Sequence, residues 1–143
     1  MMEKEYTAEA SQVIDAPRSK VWQALTDPSM ISKYLFGSEV TTDWKVGSPV
    51  TYKGMWQGKP FEDKGKVVQV EPEKLLVLTH WSPLSGVPDA PANYHTVRYE
   101  LGQANGGTRV RITQDNNASE EEVEHSQKNW TTVLDNMKKL LEE

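Results

Sequence analysis

Cysteine is absent from all 143 residues, which excludes a disulfide framework, a thiolate metal site and a cysteine nucleophile. Long apolar runs are missing as well. No stretch approaches the ~20 apolar residues of a membrane span, and the opening MMEKEYTAEASQV carries charges where a signal peptide needs an apolar core. These two absences lead us to expect a cytoplasmic protein, in which the Asn-x-Ser/Thr patterns at Asn117 and Asn129 are chance matches. Clustered positive charge is a third lack: 16 Lys and Arg are scattered among 21 Asp and Glu, for a net charge of −5. Nucleic acid is therefore not an expected partner, and the charge serves solubility. Catalytic signatures are the fourth. There is no G-x-S-x-G, Walker, H-E-x-x-H or G-x-G-x-x-G sequence, and His80, His95 and His125 do not pair at ligand spacing, so neither a metal nor a cofactor is expected.

What is present is a clear change of period along the chain. The length suits one domain over residues 1–143, able to bury roughly 68% of its unfolded surface. YTAEASQVID alternates as a strand with Tyr6, Ala8, Ala10, Gln12 and Ile14 on one face. APRSKVWQALTD then reads as a helix with Pro17 at its first position, and Asp27 caps a second short helix that Pro28 starts. From Gly37 to Gln114 every segment reads as strand. SPVTYKGMWQGKPFED is a hairpin turning at QGKP, with Val50, Tyr52 and Trp56 on one face, and EPEK and QANGG are turns between later apolar runs. In the last pair His95, Val97, Tyr99 and Leu101 point one way, and Val110 and Ile112 oppose Arg109 and Arg111. One face of the sheet is wet.

The other face needs a cover, and only the carboxy-terminal segment is long and apolar enough to supply it. Ser119 with Glu122 forms a capping box, and Lys138 and Lys139 suit the negative helix end. At 3.6 residues per turn Val123, Gln127, Trp130, Leu134, Met137 and Leu141 share a face. Beyond Val123, the first half of that stripe offers only Ser126 and Gln127 where apolar residues are expected, so this half has another task.

The segments VIDAPRSKVWQALTDP, DWKVGSPV, GKVVQVEPEKLLVLTHW, GGTRVRITQ and NWTTVLDNMKKLLE occur in that order across nearly the whole chain. In them the sequence resembles the bacterial branch of the activator-of-Hsp90-ATPase-homologue family, within the START-like, birch-pollen-allergen-like (SRPBCC) helix-grip superfamily. The resemblance implies an α+β fold: a curved antiparallel sheet of about seven strands, two short helices after the first, and a long final helix enclosing a cavity. On that expectation Trp130 faces the cavity, Gln127 and Ser126 lie over its wider mouth, and Leu134, Met137 and Leu141 close the narrow end. Tyr52, Trp56, Trp81, His95, Val97 and Tyr99 are the further expected wall residues, the apolar groups supplying burial and the polar ones orientation. LLVLTHW is apolar on both faces, so either Leu75, Val77, Thr79 and Trp81 or Leu76, Leu78 and His80 point inward. The segment SPLSGVPDAPAN, with three prolines, is either a lid over the cavity or a stiff surface loop.

Three functions follow as expectations. The first is a binding module for a small, mostly apolar or amphipathic molecule, with no catalytic residue assigned. The second is a protein-interaction, stress-related co-chaperone role, although the eukaryotic activators use an additional amino-terminal domain that this sequence does not display. The third is a cyclase or dehydratase, for which His95 is the acid or base candidate because imidazole titrates near neutrality. Monomer and homodimer both stay open.

Overall fold

The computed structural model describes residues 6–142, with the side chain of Trp56 outside the described set. Strand β1 runs Ala8–Ile14, and its alternation buries Ala8, Ala10 and Ile14 while Glu9 and Ser11 face water. Helix α1 (Arg18–Thr26) begins one residue later than the sequence suggests. Pro17 stays extended, with ψ 156°, and serves as the cap: its carbonyl accepts the Val21 N–H at 3.1 Å. Helix α2 (Pro28–Tyr34) starts as expected, the Asp27 carboxylate accepting the Ser29 N–H at 3.0 Å. The Tyr34 hydroxyl donates to the Ala24 carbonyl at 2.8 Å and ties α2 to α1.

Strands β2 (Glu39–Thr41), β3 (Pro49–Trp56), β4 (Lys59–Glu71), β5 (Leu75–His80), β6 (His95–Ala104) and β7 (Gly107–Gln114) follow. They form one antiparallel seven-stranded sheet in the order β1-β7-β6-β5-β4-β3-β2, so the first strand pairs with the last, Ala8 opposite Gln114. The β3–β4 hairpin turns on only two residues, Gln57 and Gly58, both at positive φ, a geometry whose twist matches the strands. That turn fixes the register that sets Tyr52 opposite Asp63. Between β4 and β5 the register shifts at Val67–Gln69, and Gly65 lies so close to the Thr79 carbonyl that a Cβ there would collide with it. Such an irregularity bends a sheet, and here it helps curl the sheet round its core.

Helix α3 (Glu120–Glu142) fills the concave side, packing on β1 and against α2. Its start is a modified capping box: Ser119 Oγ accepts the Glu122 N–H at 3.2 Å, but the Glu122 carboxylate reaches back to the N–H of Ala118 at 2.9 Å. Its last turns are core, Leu134, Met137 and Leu141 buried in the cluster that holds Ile14, Val110 and Ile112. The far end is pinned. Glu142 accepts the Asp15 N–H at 2.8 Å, and Lys138 donates to the Val13 carbonyl at 3.0 Å. Among the described residues no helix is long and apolar enough to cross a membrane.

The segment between β5 and β6 makes two short 3-10 turns, Pro83–Ser85 and Pro91–Asn93. It is fastened along its length. Asp89 pairs with Lys64 and accepts the Tyr94 hydroxyl at 2.6 Å, Asn93 donates to the Pro88 carbonyl at 2.9 Å, and the Trp81 indole donates to the Val87 carbonyl at 3.2 Å.

Candidate functional site

Between the concave face of the sheet and the first half of α3 lies a cavity of about 350 Å³. Val97 and Tyr99 of β6 form its floor, and Tyr52, Phe61, Asp63 and His80 its far wall. Helix α3 contributes Ser126, Asn129, Trp130 and Val133, a row at i, i+3, i+4 and i+7. At the mouth Phe36 and Met55 are 64% and 63% exposed, an apolar rim that water touches freely. Phe36 also holds φ at 51°, a left-handed conformation uncommon for a large side chain.

The polar groups divide into two sets. Around Trp130 everything is matched: the indole N–H donates to Gln114 Oε1 at 2.9 Å, and Gln114 Nε2 donates to Asn117 Oδ1 at 3.0 Å and Ser126 Oγ at 3.3 Å. The Trp130 ring also meets Tyr99 edge-on with centroids 5.9 Å apart. His95 is similarly committed, its Nδ1 bonded at 2.7 Å to the Asp115 carbonyl, an acceptor only, so Nδ1 carries the proton. On the far wall the match is incomplete. His80 Nε2 bonds Asp63 Oδ2 at 2.8 Å, whereas Asp63 Oδ1 is buried with no hydrogen-bond partner among the described residues. Tyr52 stands beside this pair, its ring 5.4 Å from that of His80.

Burial above all drives the hydroxyls of Tyr34, Tyr52 and Tyr99 far above the ordinary tyrosine range, and at Tyr52 the nearby Tyr99 and Asp63 add to it. All three phenols therefore stay protonated donors. Chemically the cavity offers aromatic surface on several sides, one saturated polar network at Gln114 and one unsaturated polar corner at Asp63.

Of the expected wall residues, Tyr52, His95, Val97, Tyr99 and Trp130 line the cavity. Three do not. Trp81 lies past the end of β5, paired with Lys64 in an isolated bridge and stacked on Tyr94, because Leu76, Leu78 and His80 are the inward set of that strand. Gln127 and Leu134, two helical turns apart, sit together to one side of the row that faces the cavity. Helix α3 is rotated so that Ser126, expected over the mouth with Gln127, lines the cavity without it, Val133 faces the cavity in place of Leu134, and Leu134 belongs to the sealed core below. The side chain of Trp56 lies outside the described residues. Asp63, Phe61 and Gln114 were not among the expected residues, and His80 pointed inward in only one of the two open readings of LLVLTHW; a two-residue reading of the Gln57–Gly58 turn would have put Asp63 beside Tyr52. Among the described residues no group of three acidic, histidine or cysteine side chains could hold a metal ion.

Comparison with known proteins matches this arrangement. The chain resembles the solution structure of ChR145 from Cytophaga hutchinsonii at 47% identity, over 99% of this chain and 97% of that one, with a TM-score of 0.85. Protein MLL2253 from Mesorhizobium loti is 24% identical over 95% and 96% of the two chains, TM-score 0.77. A third relative in fold, described as the Aha1 dimer from Colwellia psychrerythraea, is 22% identical over 94% and 95%, TM-score 0.72. No curated protein matches. The family model for activator of Hsp90 ATPase homolog 1-like protein matches residues 15–142, and the fold is the helix grip expected of that group. The chain therefore belongs to the activator of Hsp90 ATPase homolog 1-like family.

Proposed function

We propose that this protein is a binding module that holds a small, mostly apolar molecule between its sheet and α3. One observation carries the reading: the protein's own side chains leave about 350 Å³ open at a place walled by Tyr52, Phe61, Tyr99 and Trp130. That volume lies in the range of small-molecule pockets, and burial of apolar surface there supplies the driving force at roughly 25 cal/mol per Å². The matched Gln114 network holds Trp130 in place before any ligand arrives, which limits the ordering cost of binding.

The test is a fluorescence titration with anilinonaphthalene sulfonate on the wild type and on Asn129→Trp. Asn129 is exposed yet lines the mouth, so an indole there closes the opening without disturbing the core. Saturable binding by the wild type, lost in a variant of unchanged melting temperature, is the expected result. Absence of binding, or equal binding by both, would sink the proposal. A protein-interaction role is a second reading, favoured by the exposed rim of Phe36 and Met55. Equal dye binding by both proteins would move weight toward it.

A further inference from the structure

The far wall of the cavity holds an acceptor without a donor. Asp63 is 9% exposed, and its Oδ1 is shut off from water with no hydrogen bond among the described residues. An unpaired charged oxygen in such a place costs more than any ordinary missing bond. Tyr52 lies opposite it across the strands and His80 holds its other oxygen, so neither neighbour satisfies Oδ1. Beside it stands a matching excess. The Tyr52 hydroxyl is a protonated donor that makes no hydrogen bond among the described residues, and its ring edge rests against the imidazole that holds the other Asp63 oxygen.

A donor and an acceptor on paired strand positions, neither hydrogen-bonded among the described residues, are the complement of a hydroxyl group. We infer that the Tyr52–Asp63–His80 corner is a hydroxyl-recognition site, and that the cavity ligand is an aromatic molecule bearing a phenolic or alcoholic O–H. The ligand O–H is donated to Asp63, and its oxygen accepts from Tyr52. A small turn about the soft terminal torsion presents Oδ1 to an incoming donor and tilts the His80 bond to Oδ2 with it. Three other chemistries fit less well. An ammonium brings three donors to one free acceptor, a carboxylate brings charge of the wrong sign, and a ketone leaves Asp63 unmatched. The aromatic body follows from the Phe61, Tyr99 and Trp130 surfaces that face it. Gln114 does not compete for the hydroxyl, because its side-chain atoms are already bonded within the protein, and His95 has Nδ1 bonded to the Asp115 carbonyl with Nε2 turned to Glu122 at 3.8 Å. This inference rests on the binding-module reading and names the ligand class for it.

The experiment is calorimetric titration of para-phenylphenol against para-methoxybiphenyl, the same skeleton with the donor removed. In the wild type the phenol should bind about ten to a hundred times more tightly, the worth of a hydrogen bond to a charged acceptor. Asp63→Leu should bring the two affinities within about threefold by leaving the ligand O–H without an acceptor. Asp63→Asn keeps the shape and a weaker acceptor, so it should narrow the ratio part of the way and serves if the leucine variant does not fold. Tyr52→Phe should weaken both ligands and leave their ratio unchanged, since both keep an accepting oxygen. Equal affinities in the wild type, or a preference that survives Asp63→Leu, would overturn the inference while the binding reading stands. If neither biphenyl nor the naphthalene dye binds, the binding reading fails as well.

Discussion

Trp130 shows how one side chain serves two roles. Its ring walls the cavity and meets Tyr99 edge-on, and its N–H completes the Gln114 network that joins β7 to the first half of α3. Trp130→Phe keeps most of the apolar contact and strips the donor, so Gln114 Oε1 loses its partner. A loss of about 1 to 2 kcal/mol in a urea titration is expected, and a loss near zero would mean that Gln114 finds a replacement donor. At this scale the sequence was partly legible. Helical spacing put Trp130 on the buried face, and strand alternation put Tyr52, His95, Val97 and Tyr99 inward. It misplaced Gln127 and Leu134 because a rotation of α3 by a fraction of a turn exchanges neighbours along the stripe, and only packing decides that rotation. The pairing of Asp63 with His80 stayed hidden for a different reason, although His80 stood in one of the two open inward sets: partners 17 positions apart are joined only by strand register, which turns on one tight hairpin and one bulge.

Among the elements, the Pro-rich connection from Ser82 to Asn93 left lid and stiff loop equally open in the sequence. No residue of it reaches the cavity, and Asp89, Val87 and Pro88 are each fastened to a neighbour. It is a strap. Asp89→Ala, which removes the contacts to Lys64 and Tyr94, should lower the melting temperature while leaving dye exchange rates, measured by stopped flow, within about twofold of wild type. A large rate change with intact stability would make it a gate. The sequence could not choose because prolines stiffen a lid and a strap alike, and the deciding contact, Lys64 with Asp89, crosses from another strand. The carboxy-terminal end of α3 offers a pH test. The Asp15 N–H, and after it Lys138, hold the Glu142 carboxyl below its ordinary range. A depressed folded value means that its stabilisation is whole above the unfolded value and is lost as pH falls through the folded one. Glu142→Gln should therefore flatten the acid limb of a melting-temperature curve below about pH 4, and an unchanged limb would show that this pin contributes nothing to acid stability.

For the molecule as a whole, fold and cavity are linked, because the space exists only while α3 grips the sheet. A ligand at a hundred times its Kd should then add about 2.7 kcal/mol and raise the melting point on the order of 5 to 10 °C in differential scanning fluorimetry. No shift at saturation would mean that the ligand binds elsewhere or binds the unfolded chain as well. The fold at this scale was readable, since the switch of period from strand to helix to six strands to a capped amphipathic helix leaves few ways to cover one wet-faced sheet. The pairing of β1 with β7 has a consequence in time. Ala8 meets Gln114, so on the ribosome, at about 5 to 20 residues per second, the first strand waits roughly 5 to 20 seconds for its partner to be made. A strand left alone that long is an aggregation hazard in proportion to its apolar surface. Four of its seven side chains are Ala8, Glu9, Ala10 and Ser11, small or charged, so the segment that must wait longest carries little that another nascent chain could seize.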